Sequence, residues 1–144
     1  MRRGKRVWAV LPAALLLFTV VSAAFAWDEP VLVPGNPSCL DLGYEYGYKI
    51  EPVHTGLYWI PGMGEAGAIW LWKDTVYLKW QTRFGTDIVI VKGGPDANVY
   101  YGDEQFWGVG FHAPTNPNNG RPYGLSHVEF CWDAPPPCLP GVCQ

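Results

Sequence analysis

Tyr44-Glu45-Tyr46-Gly47-Tyr48-Lys49-Ile50-Glu51 alternates without a fault. Tyr44, Tyr46, Tyr48 and Ile50 fall on one face; Glu45, Gly47, Lys49 and Glu51 fall on the other. A period of two marks a strand with one dry side and one wet side. Reading outward, a weaker strand covers Gly56 to Ile60 and stops at Pro61-Gly62, and 62–67 reads as a loop. Ala68 to Trp72 and Thr75 to Trp80 read as a hairpin across Lys73-Asp74, with Trp70 and Trp72 pointing one way and Val76, Leu78 and Trp80 sharing a face. Asp87 to Lys92 encloses Ile88-Val89-Ile90-Val91, a continuous apolar run of the kind buried on both faces of a sheet. Gly93-Gly94-Pro95-Asp96 turns the chain. Asn98 to Tyr101 and Phe106 to His112 read as two more short strands, and 113–122 as a turn-rich loop. Leu125 to Trp132 reads as the last strand, with Val128, Phe130 and Trp132 on its apolar face and His127, Glu129 and Cys131 opposite. No window reads as a helix of ten residues. About eight short strands joined by Gly and Pro turns predict an all-β chain, an antiparallel β-sandwich of immunoglobulin-like or jelly-roll-like type.

The N-terminal flank reads differently. Arg2, Arg3, Lys5 and Arg6 precede an apolar run from Val7 to Val21, and Ala24-Phe25-Ala26 follows with small residues before Trp27. This is the pattern of a cleavable secretory signal peptide over 1–26, too short in its apolar part for a bilayer span of about 20 residues. The expected organisation is that leader, a β-sandwich domain over 27–134 and a Pro-rich tail over 135–144. Removing the leader leaves six Lys and Arg against thirteen Asp and Glu, a net charge of −7. So acidic a balance argues against nucleic acid as a partner, because phosphate contacts need a basic patch. No second apolar segment calls for membrane insertion after cleavage.

Cys39, Cys131, Cys138 and Cys143 are an even number in a chain expected to be secreted, which reads as a disulfide framework. Cys138 and Cys143 enclose Pro140-Gly141, a turn that lets their ends meet. Cys131 and Cys138 are held apart by Pro135-Pro136-Pro137, a stiff extended stretch. The favoured pairing is therefore Cys39–Cys131 with Cys138–Cys143. Cys131 then shares a face with His127 and Glu129, which predicts a bridge on a polar side, at a sheet edge or beside a bulge.

Several motifs resemble those of a group of secreted bacterial single-domain β proteins of unassigned function. They are Asn36-Pro37-Ser38-Cys39, Gly43-Tyr44 with Tyr46-Gly47-Tyr48-Lys49, Ile90-Val91-Lys92-Gly93-Gly94, Asn98-Val99-Tyr100 and His112-Ala113-Pro114. Asn116-Pro117-Asn118-Asn119-Gly120 and Gly124-Leu125-Ser126-His127-Val128-Glu129-Phe130-Cys131 complete the series. The resemblance implies one extracellular domain and supports the Cys39–Cys131 bridge. It implies no activity.

For chemistry, His127 and Glu129 leave one face of a strand and, with His112, have the makings of a His/His/carboxylate metal site. A hydrogen-bonded histidine beside a surface acid is the commoner outcome of such spacing. Asp96, Asn98, Asp103 and Glu104 surround a Gly-rich turn with oxygens of the kind that bind calcium, although Asp and Asn are also the commonest turn formers. Ser38 and Ser126 lie in no nucleophile motif, and no catalytic set stands out. A small secreted hydrolase with paired carboxylates is the least favoured reading. The aromatic load is the strongest signal: after residue 26 the chain holds seven Trp and eight Tyr. Trp59, Trp70, Trp72, Tyr100, Tyr101, Trp107 and Tyr123 are the candidates for stacking on a ligand; as core, each would bury roughly 150–250 Å². The expected function is a noncatalytic secreted protein with a structural or adhesive role at the cell surface. Its partners would be a cell-envelope component, a glycan bound by the aromatic set, or a second copy of the chain.

Overall fold

The computed structural model describes residues 27–133. The signal-peptide reading of 1–26, and the tail with Cys138 and Cys143, lie outside the described residues.

Nine antiparallel strands form the domain: β1 (Val31–Pro34), β2 (Tyr46–Ile50), β3 (Gly56–Trp59), β4 (Ala68–Asp74), β5 (Tyr77–Gly93), β6 (Asp96–His112), β7 (Thr115–Asn116), β8 (Arg121–Pro122) and β9 (His127–Trp132). Two short 3-10 turns, Leu40–Leu42 and Gly64–Gly67, are the helical elements among the described residues. The fold is all-β and sandwich-like, as the alternation predicts. Its layers, however, belong to one seven-stranded sheet, with β7 and β8 pairing apart.

The sheet is organised by a single hairpin of two 17-residue strands, β5 and β6. Four short strands were expected here: Thr75 to Trp80, Asp87 to Lys92, Asn98 to Tyr101 and Phe106 to His112. They merge in pairs because β5 and β6 stay hydrogen-bonded through register shifts near Gln81, Thr86 and Ile88. The tip is the two-residue turn Gly94-Pro95 at the expected place. Gly94 has φ +65°, the sign that such a turn needs at its first central residue. The β4–β5 turn falls at Thr75-Val76, two residues later than expected, and Thr75 takes φ +54°.

The long hairpin folds back on itself. Tyr100 and Phe111 lie eleven positions apart on β6, a separation of about 36 Å in a straight strand. Their rings nevertheless stack with centroids 4.0 Å apart. The Tyr100 hydroxyl donates to His112 O at 3.1 Å and accepts from His112 N at 3.0 Å. The corner lies near Gly85 and Glu104, where Glu104 takes φ +48° and its N–H donates to Asp87 Oδ1. Bulged, twisted positions are how strands pass from one layer to another.

Beyond the corner, the free edge of β5 is shared. Its first half pairs with β4, which pairs with β3. Its second half pairs with β9, which pairs with β2. β1 adds to the start of β6. The main core lies between the two layers: Leu78, Trp80, Phe84, Ile69 and Leu71 from one meet Val89, Val91, Val128, Phe130 and Trp132 from the other. Trp80 packs edge-on to Phe130 at 5.3 Å, and Trp27 caps the same cluster against Trp80 and Phe111. As expected, Ile88-Val89-Ile90-Val91 is buried on both faces.

A second buried cluster explains the doubly buried run. Ile88, Ile90, Ala97, Val99, Cys39 and Cys131 form it on the outer face of the β9–β5–β6 layer, and Leu42, Tyr44 and Tyr101 pack against it. The Cys39–Cys131 disulfide is present and fully covered, not at a polar edge, because segment 36–44 folds over this face. Tyr44 lies before the start of β2 and joins that cover, whereas Tyr46 and Tyr48 pack on the main core.

Candidate functional site

Among the described residues, the outer face of the other layer has no such cover. On β4 the inward residues Ile69 and Leu71 are buried, which turns Trp70 and Trp72 outward. Cross-strand partners share a face, so the register extends the set: Leu57 lies opposite Trp70, which lies opposite Gln81, which lies opposite Trp107. One step along, Trp72 lies opposite Lys79, and Lys79 opposite Val109. Trp59 leaves β3 on the same side, two residues from Leu57. Trp59, Trp72, Tyr77, Trp107 and Val109 are 48 %, 41 %, 48 %, 56 % and 59 % exposed, although all five belong to strands of the sheet. Four strands at about 4.8 Å spacing give this face a width of about 14 Å.

Cations stand among the rings. Lys79 Nζ lies 5.4 Å from the centre of the Trp72 ring, and the Arg83 guanidinium 5.3 Å from that of Trp70. Contacts of this type contribute roughly 0.5–1 kcal/mol at exposed sites and help hold the rings in place. Arg83 also meets Glu65 at 3.4 Å in an exposed pair. Beside Trp72 and Tyr77 the surface sinks into a depression of about 460 Å³, floored by Leu78 and Gly110 and rimmed by Thr55, Lys73, Asp74 and Lys79. Thr55 Oγ1 accepts from Lys73 N at 2.9 Å and ties the start of β3 to the end of β4 there.

The seven aromatic candidates thus divide. Trp59, Trp70, Trp72 and Trp107 come together on one face. The three tyrosines do not join them. Tyr100 is buried, stacked on Phe111. Tyr101 packs into the disulfide cluster, and the Tyr123 ring lies over Gly94 and against the main core. Leu57, Tyr77, Lys79, Gln81, Arg83 and Val109 were missed. The signal for four of them was readable: Tyr77, Lys79, Gln81 and Arg83 alternate with Leu78, Trp80, Thr82 and Phe84, a period of two that runs past Trp80.

The weaker metal candidates do not come together. His112 Nδ1 lies 2.7 Å from Ala113 O, its ring packed edge-on to Tyr77 and Tyr100. His127 is buried opposite Lys92, and its pKa is lowered by burial first and then by Lys49. The Glu129 carboxyl is pushed up by burial and accepts from Cys39 N at 3.4 Å, so it serves the disulfide loop. Asp96 accepts from Gly35 N at 3.2 Å and Asn98 donates to His112 O at 3.0 Å, both near the hairpin tip. Asp103 and Glu104 lie at the corner, at least five residues further along β6. Among the described residues no group of three His, Cys, Asp or Glu could hold a metal ion, and no helix is long and apolar enough to cross a membrane.

No protein-family model, curated protein or solved structure matches this chain.

Proposed function

We propose that this protein is a noncatalytic carbohydrate-binding domain that acts outside the cytoplasm. The reading rests on one observation: four Trp that could have filled the core are gathered on a single solvent-facing sheet surface. Water-exposed indoles on regular strands lose the benefit of burial, so a face that keeps them is suited to an apolar, flat partner. The C–H faces of sugar rings stack on indoles, while their hydroxyls find donors and acceptors in Gln81, Lys79, Thr55 and Asp74. The covered Cys39–Cys131 bridge supports an oxidising compartment. An adhesive role at a cell envelope follows from such binding, with no need of a catalytic group.

The test is a glycan array followed by calorimetry with the best oligosaccharide. Trp72→Ala and Trp107→Ala are each expected to weaken binding tenfold or more with the fold intact by circular dichroism. A blank array with a correctly folded protein, or binding indifferent to both substitutions, sinks the reading.

A further inference from the structure

Charge is distributed unevenly over the two layers. The segment 53–84, which supplies β3, β4 and the first half of β5, carries Lys73, Lys79 and Arg83 against Glu65 and Asp74, a balance of +1. The rest of 27–144 carries three Lys and Arg against eleven Asp and Glu, a balance of −8. The aromatic face itself carries two cations, Lys79 and Arg83, on a domain that is otherwise acidic, with Asp74 and Glu65 as its acids and Lys73 turned to the inward register. At the outward strand positions of β4 and β5 the order is Trp70, Trp72 and Asp74 beside Tyr77, Lys79, Gln81 and Arg83. Asp74 stands at the margin, at the end of the hairpin, while Lys79 and Arg83 stand over the indoles. Among the described residues Lys79 has no carboxylate within ion-pair distance. Arg83 shares its charge with Glu65 at 3.4 Å, in a pair open enough to water to be exchanged for another acid.

We propose that the face selects an anionic glycan, a chain of uronic acid residues, whose rings stack on Trp70 and Trp72 while its carboxylates meet Lys79 and Arg83. The proposal rests on the carbohydrate-binding reading and names the ligand class. A neutral glycan would leave Lys79 with no charged partner. The acidic remainder of the domain repels a polyanion everywhere else, which orients it toward this one face.

The experiment compares oligogalacturonate with neutral cello-oligosaccharide of equal length by calorimetry, at low and at moderate salt. Oligogalacturonate is expected to bind more tightly and to weaken severalfold as salt screens the exposed charges. Lys79→Gln and Arg83→Gln should each lower its affinity about three- to fivefold, in the range of exposed ion pairs, and change binding of the neutral oligosaccharide less than about twofold. Lys49→Gln, on the opposite layer and exposed, should leave both unchanged. Equal or tighter binding of the neutral glycan, without salt dependence, overturns the uronate proposal and leaves the carbohydrate reading standing. Binding of neither, by protein shown to be folded, overturns both. A dimer in sedimentation that Trp72→Ala dissociates overturns the proposal in favour of self-association.

Discussion

Ile88 and Ile90 point outward from one half of β5, and Tyr77, Lys79, Gln81 and Arg83 point outward from the other half of the same strand. The first half-face lies under segment 36–44, bolted down by Cys39–Cys131, and is dry. The second carries three exposed Trp and the half-buried Trp70, and among the described residues nothing lies over it. One strand therefore serves two surfaces with opposite fates. The covered surface uses its apolar area to stabilise the fold. The open surface withholds its area and keeps it for a partner.

Substitutions on the two faces should separate along that line. The largest effect is expected from replacing Cys39 and Cys131 together by Ala. The bridge spans a sequence separation of 92 residues. Closing so long a loop contributes about 4–5 kcal/mol in the chain-entropy model, so urea midpoints should fall accordingly. Glycan affinity of the fraction still folded should not change, and a parallel loss would mean that the faces are coupled. Next is Gly47→Ala. A Cβ at Gly47 would lie 2.5 Å from Cys39 Sγ, and overpacking of this kind costs about 1–3 kcal/mol. The converse substitution, Trp72→Ala on the open face, should shift unfolding free energy by no more than about 1 kcal/mol while abolishing most binding.

The smallest effects are in pH dependence, and they belong to the covered side. Burial first, then Lys49, holds the His127 pKa below the ordinary 6.5, with Lys92 helping and Glu51 opposing. A depressed histidine contributes stability above pH 6.5 that is lost as pH falls toward its folded value. Burial raises the Glu129 pKa above 4.5, against the Cys39 N–H and Lys49. A raised carboxyl contributes stability below pH 4.5 that is lost as pH rises through its folded value. Urea midpoints followed from about pH 4 to 8 should show the acid-side loss flattened in His127→Gln and the opposite loss flattened in Glu129→Gln. Profiles unchanged from the parent would show that neither group senses the cover.

Much of the fold was legible because local rules and tertiary packing agree. Tyr46 to Ile50, Val128 to Trp132 and Ile88 to Val91 keep the faces that their spacing predicts. The length of β5 and β6 was not legible, since Gly85 and the stretch Gly102-Asp103-Glu104-Gln105 interrupt the strand propensity on the two sides of the corner. The single pairing of Thr86 with Gln105 links the two regularly paired stretches across the corner. In the site, Trp70 and Trp72 were recognisable as a same-face pair. Tyr100 was misplaced for the same reason that β6 was cut short: its neighbour Phe111 is distant along the strand and adjacent only once the strand folds over.

Local rules of sequence settle that the domain is all-β, which residues alternate and where the tip of the hairpin lies. These follow from backbone sterics and a two-residue period, which act between near neighbours. Which apolar face is covered depends on how distant segments pack. Both faces of the long hairpin are rich in apolar side chains, and alternation reports that they point outward without saying what lies above them. Segment 36–44 reaches one face because a disulfide anchors it there. Nothing among the described residues crosses the other, and so the same aromatic spacing that would read as core becomes a surface.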